Sequence, residues 1–160
     1  MNVLIQEMTI GDYDEMRALW QESQGIDLSE ADSRSSISRF LERNPGLSFV
    51  ARDGEQLIGG VLCGHDGRRG YIDHLAVRAS HRRQGIGRML VSRCIYNLLQ
   101  NGIHKWHLFV REDNQDAINF WSKLGWQQRV ELVTMSNLNS LTREVGSSPL
   151  LDNFQSASSS

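Results

Sequence analysis

The sequence has few cysteines and no arrangement of them that indicates a covalent or metal-bound framework. Its two cysteines, Cys63 and Cys94, form neither a C-x-x-C pair nor a set of disulfides. No cysteine or histidine group has metal-ligand spacing, so we predict no metal site. We expect both thiols in the core, Cys63 in a buried strand and Cys94 on the apolar side of a helix.

The chain also lacks a strong net charge, a long apolar run and a leader pattern. Its formal net charge is −2, so overall basicity does not indicate a nucleic-acid-binding protein. No stretch approaches the roughly 20 apolar residues that span a bilayer. The first residues, MNVLIQEM, lack the basic and apolar regions of a signal peptide. We therefore expect a cytoplasmic protein that binds neither nucleic acid nor membrane.

The length of the chain, 160 residues, allows one domain with its own core. From residue 146 the sequence becomes serine-rich and loses its periodicity (GSSPLLDNFQSASSS). We predict a single domain over residues 1–145 and a flexible tail over residues 146–160.

Short apolar runs alternate with stretches of helical spacing. The runs predict strands over residues 2–8, 47–52, 57–63, 71–77, 105–110 and 126–135. Helical spacing predicts four helices, which begin after residues 9–12, after residue 33 or 35, at residues 85–87 and after residue 114. Glycine-containing turns favour an antiparallel meander, and the later strand–helix–strand crossover favours a parallel pair. The predicted fold is therefore α/β (α+β) with a mixed sheet.

A basic glycine turn lies between the strand over residues 71–77 and the next helix. Residues 81–90 read HRRQGIGRML, with Gly85 and Gly87 just before the apolar helical pattern. The first N–H groups of a helix have no intrahelical partner, and the helix dipole favours an anion there. Glycine lets the backbone approach such a ligand closely. The turn therefore predicts a phosphate site, although a basic helix start without a ligand stays open at this point.

Two common nucleotide motifs do not fit this turn. A P-loop needs G-x-x-x-x-G-K-[ST], and no lysine follows Gly87. A dinucleotide fingerprint needs a third Gly or Ala, where this chain has Leu90. Both departures disfavour a nucleotide-binding enzyme.

Two segments together resemble the GNAT N-acetyltransferase superfamily. Arg82-x-x-Gly85-x-Gly87 is similar to its [RQ]-x-x-G-x-[GA] signature. Residues 114–126, NQDAINFWSKLGW, resemble its N-x-x-A-x-x-[FL]-Y-x-x-x-G-F segment. The residues that match in the second segment are Asn114, Ala117, Phe120, Gly125 and Trp126. The resemblance covers about residues 47–135, and two motifs in order are far more specific than one.

The resemblance implies the GNAT acyl-CoA N-acyltransferase fold, a mixed sheet of about six to seven strands flanked by helices. It implies acetyl-CoA as cofactor, its pyrophosphate on the glycine turn and its pantetheine arm along the strand over residues 71–77. Backbone amides near the end of that strand would stabilise the developing oxyanion. The implied cofactor-binding residues are Leu75, Ala76, Val77, Arg82, Arg83, Gln84, Gly85, Ile86, Gly87, Arg88, Asn114, Ala117, Phe120 and Trp121. Ala117 and Phe120 also fit the core face of a helix.

The implied reaction is acetyl transfer to a primary amine by direct attack in a ternary complex. An alkylamine has a pKa of about 10 and must lose a proton, which a carboxylate or histidine can accept. The candidate bases are Asp73, His74 and Glu112. We prefer Asp73, because several relatives carry an acidic residue there. His74 would point to the opposite face of a regular strand unless a bulge intervenes. Purely structural roles stay open for all three.

Position 121 departs from the family pattern. Many relatives place there a tyrosine that acts as general acid, whereas Trp121 carries an indole N–H that is no useful acid. The alternative function is therefore a non-catalytic acyl-CoA-binding or sensing module of the same fold. The implied partner is a small-molecule or protein amine, and dimers are common in the family. Residues 10–46, which should shape the acceptor pocket, carry no recognisable motif.

Overall fold

The computed structural model describes residues 2–138. The predicted serine-rich tail lies outside these residues, and the single domain over residues 1–145 stays a prediction. The chain divides into two compact units. The first ends at Trp126 and the second begins at Gln127. In the part of the chain that the structure describes, no helix is both long and apolar enough to cross a membrane.

The first unit contains five strands and four α-helices. In chain order they are β1 (Val3–Glu7), α1 (Tyr13–Glu22), α2 (Arg34–Arg43), β2 (Phe49–Asp53), β3 (Gln56–His65), β4 (Gly70–Val77), α3 (Ile86–Gln100), β5 (Trp106–His107) and α4 (Gln115–Lys123). Short 3-10 helices cover Ile10–Asp12, Glu30–Asp32 and Ala79–His81.

The sheet has the order β1-β2-β3-β4-β5. Its first three pairings are antiparallel and the β4–β5 pairing is parallel. The predicted mixed sheet is thus confirmed, since α3 supplies the crossover that a parallel pair requires.

The predicted number of strands, six to seven, is wrong for the described residues, which form five. The strand predicted over residues 126–135 is not formed, and β5 spans two residues instead of six. The apolar side chains that follow Trp126 in that segment are exposed and form no buried face. Val133 is 85% exposed and Met135 90% exposed. An apolar run forms a strand only where a neighbouring strand pairs with it and a core covers one of its faces, and apolar content alone supplies neither.

Each face of the sheet carries its own core. The cluster that contains Ile58, Leu90 and Cys94 includes α3, and the cluster that contains Met16 and Trp20 includes α1. Both cysteines are free and buried, as predicted. On the α1 side the backbone of β3 lies very close to the helix. A Cβ on Gly60 would be 2.3 Å from the Met16 sulfur, so a side chain at position 60 would force the buried Met16 side chain to move.

A β-bulge interrupts β4 in its C-terminal half. Leu62 of β3 is opposite Asp73 and Gly60 is opposite Ala76, so Val61 alone faces two residues, His74 and Leu75. His74 takes up the extra length with a left-handed φ of 51°. Beyond the bulge the side chains no longer alternate as in a regular strand, and this re-aims His74.

Candidate functional site

The start of α3 is an open helix terminus. Gly85 is its N-cap in the left-handed region, φ 80°, and makes no side-chain cap. The first intrahelical bond runs from the Met89 N–H to the Gly85 carbonyl, 3.0 Å. The N–H groups of residues 86–88 therefore have no intrahelical acceptor, and the first turn carries no acidic residue. This combination favours an anionic ligand.

The arginines of the preceding turn add positive charge to this terminus. The Arg82 Nε donates to the Val77 carbonyl, 3.2 Å, and ties the turn to the end of β4. Arg83 has a left-handed φ of 60°. Arg83 and Arg88 are exposed, and neither forms an ion pair within residues 2–138. Two guanidinium groups are thus available to an anion without breaking an existing contact.

Gly87 brings three elements together at this end of the sheet. A Cβ built on Gly87 would lie 3.3 Å from Phe120 Cζ of α4 and 3.8 Å from Leu75 Cδ2 of β4. Three residues predicted from separate motifs therefore meet at one place. Any side chain larger than hydrogen at position 87 would crowd Phe120.

Asn114 fixes the beginning of α4. Its Oδ1 accepts from the Ala117 N–H, 3.2 Å, as an N-cap does. A Cβ on Gly25 would lie 2.4 Å from its Nδ2, so Asn114 also lies against the connection between α1 and α2.

Trp121 belongs to an aromatic cluster, which comprises Trp106, Phe120, Trp121 and Trp126. Its ring centroid lies 5.1 Å from those of Phe120 and Trp126, both edge to face. Trp121 is only 8% exposed, so the ring contributes mainly to the core. Among the other predicted cofactor residues, Ala76 and Ile86 have buried side chains, Gln84 is exposed and Val77 is half-buried.

Asp73, the preferred candidate base, lies at the beginning of the bulge. Although part of the residue is exposed, desolvation by the surrounding protein raises the pKa of its carboxyl group. His74 opposes this rise, and the negative charge of Asp32 adds to it. A carboxylate with a raised pKa is a stronger base than an ordinary aspartate.

His74, the second candidate, turns toward α1. Its Nε2 lies 2.7 Å from Asp32 Oδ1. Its ring also lies edge to face against Trp20, with centroids 5.1 Å apart. The bulge thus gives His74 partners that a regular strand would not give it. Asp32 was not predicted as a site residue, since Ser29-x-x-Asp32 indicates only a helix cap and its contact with His74 spans 42 residues.

Glu112, the third candidate, is exposed in the loop after β5. Within residues 2–138 no hydrogen bond or ion pair joins it to Asp73 or His74. Its neighbour Arg111 instead binds Asp27 at 2.8 Å and Asp113 at 3.2 Å. Asp73 and His74 are thus adjacent on β4, whereas Glu112 makes no direct bond with either of them in the described residues.

An open pocket of about 350 Å³ adjoins Asp32 between α1 and the 3-10 helix Glu30–Asp32. Its lining combines one aromatic ring, two arginines and several short polar side chains. The residues are Tyr13, Arg17, Leu28, Ser29, Glu30, Asp32, Ser33 and Arg34.

Comparisons with known proteins agree with this geometry. Residues 13–126 match the family model described as the acetyltransferase (GNAT) family. An acetyltransferase of Pectobacterium atrosepticum is 36% identical over 104 residues, which cover 65% of this chain and 73% of the relative.

Two solved structures have a similar fold. The PaiA N-acetyltransferase from Thermoplasma acidophilum, in complex with coenzyme A, has a TM-score of 0.68 at 19% identity, with 78% of this chain and 89% of that chain covered. An aminoglycoside acetyltransferase from an uncultured soil metagenomic sample has a TM-score of 0.69 at 20% identity, with 87% and 100% covered. At these identities the two structures show the fold.

Proposed function

Because this chain belongs to the GNAT acetyltransferase family, we propose that it is an acetyl-CoA-dependent N-acetyltransferase. It acetylates a primary amine, on a small molecule or a protein, by direct attack in a ternary complex. The observation that carries this proposal is the open, uncapped start of α3 with its unpaired arginines.

The residues at this terminus fit the anionic part of acetyl-CoA. The amides of residues 86–88 and the side chains of Arg83 and Arg88 would hold the pyrophosphate. Arg82 ties the turn to β4, Gln84 lies exposed within it, and Arg83 and Gly85 are its left-handed residues. Gly87 keeps the approach to Leu75 and Phe120 free of a side chain. Leu75, Ala76 and Val77 would line the pantetheine arm, and Asn114, Ala117, Phe120 and Trp121 would bound it on the α4 side.

Acetyl-CoA supplies the acetyl group as a thioester and departs as a thiolate. The protein must take a proton from the acceptor ammonium, because only a neutral amine has a free electron pair. Asp73 and His74 stand side by side at the β4 bulge and are the groups suited to this step.

One observation favours the second candidate function, a non-catalytic acyl-CoA-binding module. Trp121 occupies a position where the family pattern has tyrosine, and it is buried in the aromatic cluster. An indole N–H donates a hydrogen bond but supplies no proton at neutral pH.

Calorimetry with acetyl-CoA tests the proposal, followed by thiol release with an amine panel. The panel contains an aminoglycoside, a polyamine and peptides with free amino termini. We expect wild-type protein to bind, Gly87→Glu to lose binding, and Gln100→Glu to bind normally. Gln100 is the matched control, because it lies exposed at the other end of α3. Binding with turnover supports the transferase, binding without turnover on any amine supports the sensing module, and no binding by folded wild-type protein overturns both.

A further inference from the structure

We propose that Asp32 is a positioning residue for the transfer reaction. Asp32 holds the imidazole of His74 so that Nδ1 of His74 accepts the proton of the amine. The inference rests on the proposed function and deepens it, since it selects His74 among the candidate bases. Asp32 belongs to the connection between α1 and α2, outside both sequence motifs.

His74 has an uncommon backbone conformation. Its φ of 51° lies in the left-handed region, which costs free energy for any residue with a Cβ. Such a residue persists only where its surroundings hold it there. Here the bulge of β4, the ring of Trp20 and the carboxylate of Asp32 do so. The protein thus maintains a strained conformation that aims one imidazole at one carboxylate.

Asp32 is itself held at three points besides its contact with His74, and the first is its backbone N–H, which donates to the Ser29 carbonyl at 3.0 Å. Its Oδ2 accepts from the Ser29 N–H, 3.0 Å, and its backbone carbonyl accepts from the Tyr13 hydroxyl, 2.6 Å. Its Oδ1 is the atom that contacts His74, and its side chain is only 11% exposed. A carboxylate fixed in this way can determine the orientation of the ring that it binds.

The contact also determines which ring nitrogen is free. An ionised carboxylate only accepts hydrogen bonds, so Nε2 of His74 must carry the proton that it donates to Asp32. In the neutral ring Nδ1 is then unprotonated. Among residues 2–138 no side chain or backbone group forms a hydrogen bond with Nδ1. It is therefore the nitrogen that can accept a proton from a ligand.

The proton balance of the step is simple. The acceptor ammonium gives one proton to Nδ1 and becomes a neutral amine with a free electron pair. The imidazole becomes an imidazolium ion, whose charge the Asp32 carboxylate offsets at 2.7 Å. Among residues 2–138, the uncharged ring of Trp20 on α1 and the adjacent carboxyl of Asp73 on β4 also interact with His74.

Asp32→Asn is the variant that distinguishes a role in positioning His74 from a role in the stability of the fold alone. Asparagine keeps the shape, and its oxygen can still accept from Ser29. Its NH₂ group can now donate to Nε2, which favours the tautomer with the proton on Nδ1. Nitrogen NMR of protein labelled in its histidines reports this tautomer without any substrate. We expect an unprotonated Nδ1 at neutral pH in wild-type protein and a shift of the His74 resonances toward the other tautomer in the variant.

Turnover gives the second readout, with acetyl-CoA and the best amine of the panel. We expect Asp32→Asn to lower kcat by about a hundredfold, the low end of what general base catalysis contributes, with acetyl-CoA affinity unchanged. In a His74→Gln background Asp32→Asn should cause no further loss, because Asp32 acts through His74.

Asp14→Asn is the matched control. Asp14 is an exposed carboxylate on α1, 3.6 Å from Arg34, and its loss should change neither the His74 resonances nor kcat. If Asp32→Asn does not fold, Tyr13→Phe loosens Asp32 through its carbonyl alone and should produce the same shift in smaller amount. Unchanged His74 resonances in the Asp32 variant, or a loss that adds to that of His74→Gln, would overturn the inference. If wild-type protein acetylates no amine, the proposed function fails instead, and the NMR result still decides whether Asp32 sets the tautomer.

Discussion

Gly87 of α3 and Phe120 of α4 lie so close that a methyl group at position 87 would contact the ring at 3.3 Å. This contact joins the two sequence motifs in space, since each residue belongs to one of them. Leu75 of β4 lies beside the same point at 3.8 Å. The space that glycine leaves open there is therefore bounded by all three elements that the proposal assigns to acetyl-CoA.

Gly87→Val should weaken acetyl-CoA binding by about tenfold, or about 1.4 kcal/mol, because its branched side chain fills the space between Phe120 and Leu75. Valine is also a slightly better helix former than glycine, so helix propensity does not oppose the substitution. The melting temperature should therefore stay near that of wild type while the calorimetric Kd rises. Ser92→Ala, on the exposed side of α3, is the control and should change neither quantity. An unchanged Kd in Gly87→Val would remove position 87 from the cofactor site.

Arg83→Ala and Arg88→Ala should each weaken acetyl-CoA binding about three- to tenfold at low salt. The reason is that both guanidinium groups are exposed and form no ion pair in the described residues, so their charge is available to a phosphate. The effect should shrink at 0.5 M salt, where charges are screened over a few ångströms. Calorimetry at two salt concentrations measures this. Arg39→Ala removes an exposed arginine of α2 that contacts Ser36, and it should bind like wild type at both salt concentrations.

The sequence motifs predicted the parts of the site that depend on local chemistry. A glycine turn that follows a strand and precedes apolar residues at helical spacing predicts an open helix start. About ten consecutive residues are enough for this prediction. Asn114 is the N-cap of α4, as predicted, and α3 begins directly after Gly85, where the glycine turn predicts a helix start. The order of β2, β3 and β4 also followed from the short turns between them.

Long-range contacts could not be predicted in this way. Asp32 and His74 are 42 positions apart, and the bulge that turns His74 toward α1 depends on the register between β3 and β4. Alternation along residues 71–77 therefore predicted the wrong face for His74, with the bulge as the stated exception. The prediction of a strand over residues 126–135 was wrong for a similar reason, because apolar content does not specify which strand a segment pairs with.

Asp73→Asn should raise the melting temperature at pH 7. Desolvation raises the pKa of Asp73 in the folded protein above its ordinary value near 3.9, so folding favours the protonated form. At neutral pH the carboxyl is ionised in both states, and its burial then opposes folding. The advantage of asparagine should disappear as the pH falls through the folded pKa toward 4. Thermal melts of both proteins at pH 7 and pH 4 measure this.

Asp66→Asn is an informative contrast to Asp73→Asn. Backbone N–H groups of Arg69 and Arg68 lower the pKa of Asp66, so its ionised form favours folding at neutral pH. This substitution should not raise the melting temperature at pH 7. Equal shifts in the two variants would mean that the environment of Asp73 does not oppose its charge.

Trp121→Tyr should destabilise the protein and leave kcat without a gain. The indole is 8% exposed and lies edge to face with Phe120 and Trp126, so a smaller ring loses these contacts and leaves a cavity. Such large-to-small changes in a core cost about 1–3 kcal/mol, which urea denaturation resolves. Phe109→Leu, at a ring that is 67% exposed, should leave the free energy of unfolding unchanged. A Trp121→Tyr variant that is stable and turns over faster would show that the aromatic cluster tolerates a phenol and that the wild-type site is limited by the missing acid. A destabilised variant without faster turnover would instead mean that position 121 serves the core and that the leaving thiolate needs no proton from it.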